Sequence, residues 1–312
     1  MTEISNSNST QSSITHCGQV AILGRPNVGK STLLNHILGE KISITSRKPQ
    51  TTRHQVLGIH TANGAQMVFV DTPGIHSTNK HDKNQQKALN RYMNKAALQV
   101  IDDVDCVVWV IIAGIWTQED EWIGERLSTI ETPVIIALNK IDELKKREEL
   151  LPLLAKFQAK YTPLALVPMS ALKSENLDQL LQVIRTTLPE ASPLYDEDQL
   201  TNRTLRFLAA ERIREKLTRQ LGDELPHELT VEIESFKEDE SLAKIHALIL
   251  VERDSQKAIV IGKQGSRLKR VGSDARVELE SLIGKKVMLE LWVRVKTGWS
   301  DDERALASLG YD

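Results

Sequence analysis

Three short stretches carry residues whose types and spacing could handle a nucleoside triphosphate. The first is GRPNVGKS, residues 24–31, in the pattern G-x-x-x-x-G-K-[ST]. The run Gly24, Arg25, Pro26, Asn27, Val28, Gly29, Lys30, Ser31 and Thr32 is a candidate phosphate cradle. Backbone N–H groups would wrap the β-phosphate, Lys30 would reach the β- and γ-phosphates, and Ser31 would ligate Mg²⁺. Gly24 and Gly29 let the chain turn sharply and approach phosphate with no Cβ in the way. The second stretch is DTPG, residues 71–74. Asp71 is placed to hold the magnesium shell through water, and Gly74 to offer its N–H to the γ-phosphate. The third is NKID, residues 139–142. A carboxylate at Asp142 can accept from N1–H and the exocyclic amine of guanine, a donor pair that adenine lacks. Asn139 would contact the base and brace the phosphate loop, and Lys140 would lay its aliphatic stem along the ring. Ser170, Ala171 and Leu172 would add a backbone contact to the guanine oxygen. DTPG alone is an ordinary turn and NKID alone a helix start; their order after the phosphate loop, each behind an apolar run, gives them weight.

The elements that must position these residues follow from periodicity. An apolar run at 19–23 precedes the phosphate loop and a helix-like run at 32–38 follows it. Residues 40–53 are polar, contain Pro49, end in QTTR and read as an exposed loop. Runs at 55–60 and 66–70 flank the Asn63-Gly64 pair, a hairpin-turn signal. Further apolar strands fall at 106–112, 133–138 and 165–169, separated by helical patterns. This α/β alternation predicts a mixed, mostly parallel sheet with ligands at the C-terminal strand ends. The whole chain has 312 residues, 40% hydrophobic and 26% charged, with a net charge of −2. Those values fit about two globular domains and confine any nucleic-acid footprint to a local patch. Cys17 and Cys106 are isolated, which argues for a reduced compartment and against structural zinc. Residues 1–16 read as a disordered tail with no signal peptide, and the apolar window at 104–116 is too short to span a bilayer.

The character changes after residue 188. The first unit is read as residues 17–188, and the proline-containing, acidic stretch 189–201 as a linker. A second unit is read over 202–312. It opens with a helix at 203–221 that carries Arg203, Arg206, Arg212, Arg214, Lys216 and Arg219 against Glu211 and Glu215. Three alternating runs follow, with Val231 and Ile233, then Ile245, Ala247, Ile249 and Val251, then Val287, Leu289, Leu291, Val293 and Val295 as the covered sets. Between the second and third lies AIVIGKQGSRLKRVG, residues 258–272. A bare G-x-x-G is weak, but Ile259, Ile261 and Leu268 around it could line a base-binding groove. The candidate RNA contacts are Ile261, Gly262, Lys263, Gln264, Gly265, Arg267, Lys269 and Arg270, a basic patch that would bind phosphates in a salt-dependent way. The order helix, strand, strand, helix, G-x-x-G loop, helix, strand resembles an α+β type II KH domain, whose loop clamps about four nucleotides of RNA backbone.

With these residues in hand, the order GRPNVGKS, QTTR, DTPG, NKID, SAL resembles the translation-factor-related branch of the P-loop, Ras-like GTPases. The resemblance implies hydrolysis of GTP to GDP and phosphate with Mg²⁺, slow on its own, and a switch between nucleotide states. It makes Lys30, Thr52 and Asn27 the candidate catalytic residues and Ser31, Thr52 and Asp71 the metal set, with Thr51 as the alternative to Thr52. Ile75 stands where small Ras-like GTPases place a water-orienting glutamine, and it cannot hydrogen-bond water. In relatives with a hydrophobic residue there, the asparagine matching Asn27 helps bind K⁺; an Asx-type turn is the other reading of Asn27. A GTPase unit followed by a type II KH unit, together with the closing stretch LELWVRVKTGWSDDERALASLGYD, resembles the Era family. That implies a monomer that binds GTP or GDP and the 3′ region of small-subunit ribosomal RNA, and assists maturation of the 30S-type ribosomal subunit. It implies a cytoplasmic location, with peripheral association at the inner face of the cell membrane as a further expectation. Two alternatives stay open: a GTPase supporting RNA modification, against which the lack of a cysteine after Cys106 counts, and a membrane-surface GTPase anchored by the helix at 203–219.

Overall fold

The computed structural model describes residues 14–46, 48, 51–75, 88–221 and 229–308. Most of the expected N-terminal tail, and positions 49 and 50 of the QTTR-bearing loop, lie outside the described residues. The first sheet contains β1 (His16–Leu23), β2 (Val56–Ala62), β3 (Ala65–Asp71), β4 (Cys106–Ile112), β5 (Val134–Asn139) and β6 (Ala165–Pro168), in the order β2-β3-β1-β4-β5-β6. Only the β2–β3 pair is antiparallel. Its turn is Asn63-Gly64 with φ of 52° and 76°, the two left-handed residues that match the twist of a tight hairpin. β1 begins at His16, and Thr15 bonds to Gly64 through its N–H and its hydroxyl. The expected tail is therefore corrected at Thr15 and His16, both of which bond to Gly64 of the hairpin turn.

Every position of β3 and β4 is buried, as expected where helices cover both faces of a parallel sheet. Alternate residues divide between two cores. Val20, Ile22, Val108 and Val110 face α1 (Lys30–Leu38) and α5 (Leu177–Thr187). Ala21, Leu23, Val107, Trp109 and Ile111 face α2 (Ala88–Gln99), α3 (Gln118–Leu127) and α4 (Leu150–Tyr161). The strand ends then deliver the motifs to one edge: β1 runs into the phosphate loop, β3 ends on Asp71, β5 ends on Asn139, and Ser170 follows β6.

Residues 189–201, expected as a linker, hold no helix or strand but are not a loose spacer. Buried Gln66 accepts from the N–H groups of Leu194 and Tyr195 at 2.8 and 3.0 Å and donates to the Tyr195 carbonyl at 2.8 Å. Further along, Ile59 N–H donates to Leu200 O and the Thr201 hydroxyl to Leu57 O.

The second sheet contains β7 (Leu229–Glu238), β8 (Leu242–Val251) and β9 (Lys286–Val295), with β7–β8 antiparallel and β8–β9 parallel. One face carries α6 (Leu205–Gln220), α7 (Asp254–Ile261) and α8 (Ser266–Ile283). The expected inward set of Ile245, Ala247, Ile249 and Val251 is fully buried in that core with Ile213, Leu217, Val271 and Leu279. The chain end returns to the first unit. Trp299, buried, packs with Ala88 and Leu89 of α2 and with Ala305 and Leu306 of α9 (Glu303–Ser308). Leu89 N–H donates to Ser300 O and Ala88 N–H to Asp301 Oδ1.

Candidate functional site

A cleft of about 890 Å³ opens at the C-terminal edge of the first sheet. Its walls bring together Pro26, Asn27, Gly29, Lys30, Ser31, Thr32, Thr52, Gly74, Asn139, Lys140, Asp142, Ser170, Ala171 and Leu172, which come from five segments far apart in the chain. Gly24, Arg25, Val28 and Asp71 do not line it. Gly24 serves by its backbone: a Cβ there would sit 2.4 Å from Val110 O. Val28 is buried in the first core. Arg25 turns away from the cleft and its Nε donates to Asp120 Oδ2 of α3 at 2.9 Å.

Lys30 is buried and its ammonium donates to the carbonyls of Gly24 and Arg25 at 3.0 and 3.1 Å. Burial pulls its pKa down to about 8, partly offset by the attraction of Asp71. Asp71 is fully buried and burial raises its carboxyl above the usual range, against the pull of Lys30, Ser43 and Ser31. Its Oδ2 accepts from Ser31 and Ser43, each at 2.7 Å. Its Oδ1 has no hydrogen-bond partner among the described residues. Ser31 Oγ lies 2.8 Å from Thr52 Oγ1, whereas the Thr51 hydroxyl donates to Lys48 O. Ser31, Thr52 and Asp71 thus form an all-oxygen cluster with an unsatisfied carboxylate oxygen, a donor set suited to a hard cation such as Mg²⁺. The spacing of QTTR could not choose between the two threonines; the fold puts Thr52 at Ser31.

At the other end, Asn139 Nδ2 donates to Val28 O at 2.7 Å while Oδ1 accepts from Ala171 N–H at 2.8 Å. Asn139 therefore ties the phosphate loop to the 170–172 loop. One expectation changes: the Ala171 N–H is engaged by Asn139, so it is not free to meet the guanine oxygen in this arrangement. Lys140 adopts a left-handed φ of 62° that turns the chain so that Asp142, nearly buried, lines the cleft. Asn27 is also left-handed, with φ 62°. Ile75 is buried in the second core, and its N–H meets Gly24 O. Its side chain faces away from solvent, as a non-polar residue after DTPG requires.

Sequence reasoning missed how the loop after α1 is held. Lys41 Nζ donates to Glu215 of α6 at 2.5 Å and to Glu278 of α8 at 2.7 Å. Glu215, fully buried, also accepts from Thr45 N–H at 2.9 Å. Arg212 donates to Lys41 O and Arg214 to Thr51 O. The basic helix at 203–221 thus faces the 41–52 loop: Arg212, Arg214 and Lys216 are buried, and the membrane-anchor reading of this helix is withdrawn. The signal was the excess of cations on this helix, which need acceptors elsewhere, since Glu215 already has partners on its own helix in Arg219 and Lys216.

The G-x-x-G loop sits between α7 and α8. Gly262, Gln264 and Gly265 have φ of 73°, 52° and 76°, and the last two precede the N-terminus of α8. A Cβ at Gly265 would meet nothing within 4 Å, so backbone can approach from that side. Lys263, Lys269 and Arg270 are exposed and Ile261 half-buried, a fit to phosphate and base contact. Arg267 also has a role inside the fold: its guanidinium donates to Ile259 O at 2.6 Å, capping α7.

A phosphate cradle, an oxygen cluster for a cation and a carboxylate at the base end, joined to a G-x-x-G fold, define a guanine-nucleotide-binding protein with an RNA-binding unit. A family profile described as 50S ribosome-binding GTPase matches residues 19–140, and one described as KH domain matches residues 224–300. GTPase Era of Ectopseudomonas mendocina is 55% identical, over 97% of this chain and 99% of that protein, and that of Pseudomonas savastanoi pv. phaseolicola 56% identical, over 95% and 97%. Two solved Era structures each superpose with a TM-score of 0.90 at 40% identity, covering 95% of this chain and 99% of theirs. One is a point variant of Aquifex aeolicus Era bound to GDP·AlF4⁻; the other is Era with MgGDPNP and nucleotides 1506–1542 of 16S ribosomal RNA. The chain belongs to the Era family of GTPases.

Proposed function

We propose that this chain binds GTP with Mg²⁺ in the cleft and hydrolyses it. In this reading the nucleotide state controls how the 262–265 loop holds the 3′ region of small-subunit ribosomal RNA during maturation of that subunit. The observation that carries the reading is the shared loop: Thr45, Thr51 and Thr52 line the nucleotide cleft, and the same loop is bonded to α6 and α8 of the RNA-binding unit.

Asp142 selects guanine, Asn139 sets the distance between base and phosphate ends, and Lys30 places positive charge where the transferred phosphoryl gathers negative charge. Ser31 and Thr52 would hold Mg²⁺ directly and Asp71 through water; the ion's part is to neutralise the phosphate oxygens. Ile75 orients no water, so positioning of the nucleophile falls to backbone groups around Gly74. Asn27 lines the cleft wall, and the further proposal is that K⁺ supplies charge there; equal turnover in K⁺ and Na⁺ buffers would remove it and leave Asn27 the turn-holding role that its left-handed φ also fits. The profile that names the 50S subunit covers residues 19–140 only. The Era complex matched over 95% of the chain carries 16S RNA, so the small subunit is the better-supported target. No helix among the described residues is long and apolar enough to cross a membrane. Family membership, rather than that absence, is the ground on which we take the working form to be a cytoplasmic monomer; a peripheral contact with the inner membrane face has no identified surface on α6.

The test is Asp142→Asn. GTP affinity should fall by about two orders of magnitude while xanthosine triphosphate, with a carbonyl where guanine has its amine, binds better than GTP. An unchanged base preference would sink the guanine reading.

A further inference from the structure

The nucleotide cleft has a wall that does not come from the GTPase unit. Arg219, in the last turn of α6, lines it beside Ile44, Thr45, Ser46 and Lys48. Its guanidinium is held along one edge by three acceptors. Nε and Nη2 donate to Thr45 O at 3.1 and 2.9 Å, and Nη2 also reaches Thr45 Oγ1 at 3.1 Å and Glu215 Oε1 at 2.9 Å. Glu215 is in turn fully buried and fixed by Lys41 and Thr45. Despite these contacts the Arg219 side chain keeps 46% of its surface exposed, none of these bonds uses Nη1, and the residue lines the cleft. A guanidinium has five N–H donors and stays charged at any working pH. Set on the wall of a cleft that takes a nucleotide with several negative charges, it has a direct electrostatic role open to it.

We propose that Arg219 is a nucleotide-binding residue contributed by the RNA-binding unit, completing the site with a cation aimed at the sugar–phosphate portion of the bound nucleotide. The proposal rests on the guanine-nucleotide reading of the cleft and adds to it. High-affinity binding then requires α6 to be docked on the 41–52 loop. Displacement of α6 removes a charge from the site as well as a prop from the loop.

The competing role is a purely structural one, in which Arg219 only steadies Thr45. The two separate in full-length Arg219→Gln and Arg219→Lys proteins, titrated with fluorescent GDP and a non-hydrolysable GTP analogue. Gln can still donate to Thr45 O but carries no charge, so R219Q should weaken both nucleotides by about tenfold, while R219K should stay within about threefold of the parent. Melting temperatures read without nucleotide show whether both variants fold; R219K carries the test if R219Q does not, since a lysine that lowers GTP-analogue but not GDP affinity contradicts a charge contact. Unchanged affinity for both nucleotides in R219Q, or a loss confined to the GTP analogue, overturns the proposal. Failure of Asp142→Asn to shift base preference would instead strike the reading of the cleft, and leaves a different signature.

Discussion

Glu278 of α8 accepts a hydrogen bond from Lys41 of the loop beside the nucleotide cleft at 2.7 Å. Glu278 belongs to the helix that starts at the G-x-x-G loop, so a rigid rod of residues 266–283 joins the RNA contact to the nucleotide loop. Lys216 and Arg212 complete the cluster around the same carboxylate. If GTP orders the loop, Glu278 reports it to the RNA-binding unit. Glu278→Gln should therefore reduce the ratio of RNA affinities measured with GTP analogue and with GDP by about fivefold, the low end of ordinary coupling between sites. Affinity for nucleotide without RNA should change far less. An unaltered ratio, at fixed salt, would assign the coupling to another contact.

Gly29 offers a sharper structural test. Its φ is +107°, and a Cβ would meet Asn139 Nδ2 at 2.4 Å. Gly29→Ala forces a non-glycine residue into a costly conformation and pushes aside the amide that braces Val28 O. The two effects sum to roughly 3 kcal/mol, and nucleotide affinity should drop by about two orders of magnitude. Circular dichroism should remain that of the parent, because the strand cores do not involve this position. Retained affinity would mean that the brace is not needed.

Lys30 gives a pH signature. Its pKa in the nucleotide-free protein is about 8 because burial disfavours the ammonium, against about 10.4 for a free lysine. Between those values the unfolded chain binds more protons than the folded one, so this group makes the free protein gain stability as pH rises from 8 to about 10.4. Phosphate in the cleft restores the ammonium, so binding at pH 8 to 9 should take up a proton. Calorimetry in buffers of different ionisation enthalpy measures that uptake, and Lys30→Met should abolish it. Binding heats independent of buffer would refute the assignment.

His54 titrates in the opposite part of the range. Burial against α6 lowers its pKa to about 4, with Glu211 opposing the shift and Arg214, Arg203 and Arg53 adding to it. Its ring meets Phe207 edge-on at 5.3 Å. The unfolded chain protonates this histidine below about pH 6.5 and the folded one only near 4, so stability is lost as pH falls through that window, by up to about 3 kcal/mol. His54→Phe keeps an aromatic contact without a titrating group. Its denaturation midpoint should vary less between pH 6.5 and 4 than that of the parent; equal slopes would place the acid sensitivity elsewhere.

Much of this was legible in the residues because the signals are local. Strand β4 could be placed at 106–112 from its apolar run alone, and Asn63-Gly64 announced its hairpin, since both depend on neighbours in sequence. The order of phosphate loop, Asp71, Asn139 and Asp142 placed them at strand ends, and the cleft gathers them except for Gly24, Arg25 and Val28 of the loop and Asp71, which is buried and bonded to Ser31. What stayed hidden depends on the path of the folded chain, in two cases through contacts 174 residues apart. Nothing near Lys41 points to Glu215, nothing near Thr45 points to Arg219, and the choice of Thr52 over Thr51 required the loop's path. The positive charge of Arg267 is visible in sequence, whereas the Ile259 carbonyl that it caps is visible only once α7 ends there.

The stretch between the two sheets has a mechanical consequence. Gln66 pins the backbone at residues 194 and 195, and Thr201 is fastened to Leu57, leaving residues 202–204 between the last of these anchors and the start of α6 at Leu205. Three residues reach about 10 Å at full extension, and Arg203 is itself bonded to Gln55 O. In this arrangement the path between the two units is anchored along most of its length rather than left as a free tether. Trp299 on α2 is a second point of attachment, so separating the two units would require these bonds to break together with those that tie α6 to the 41–52 loop.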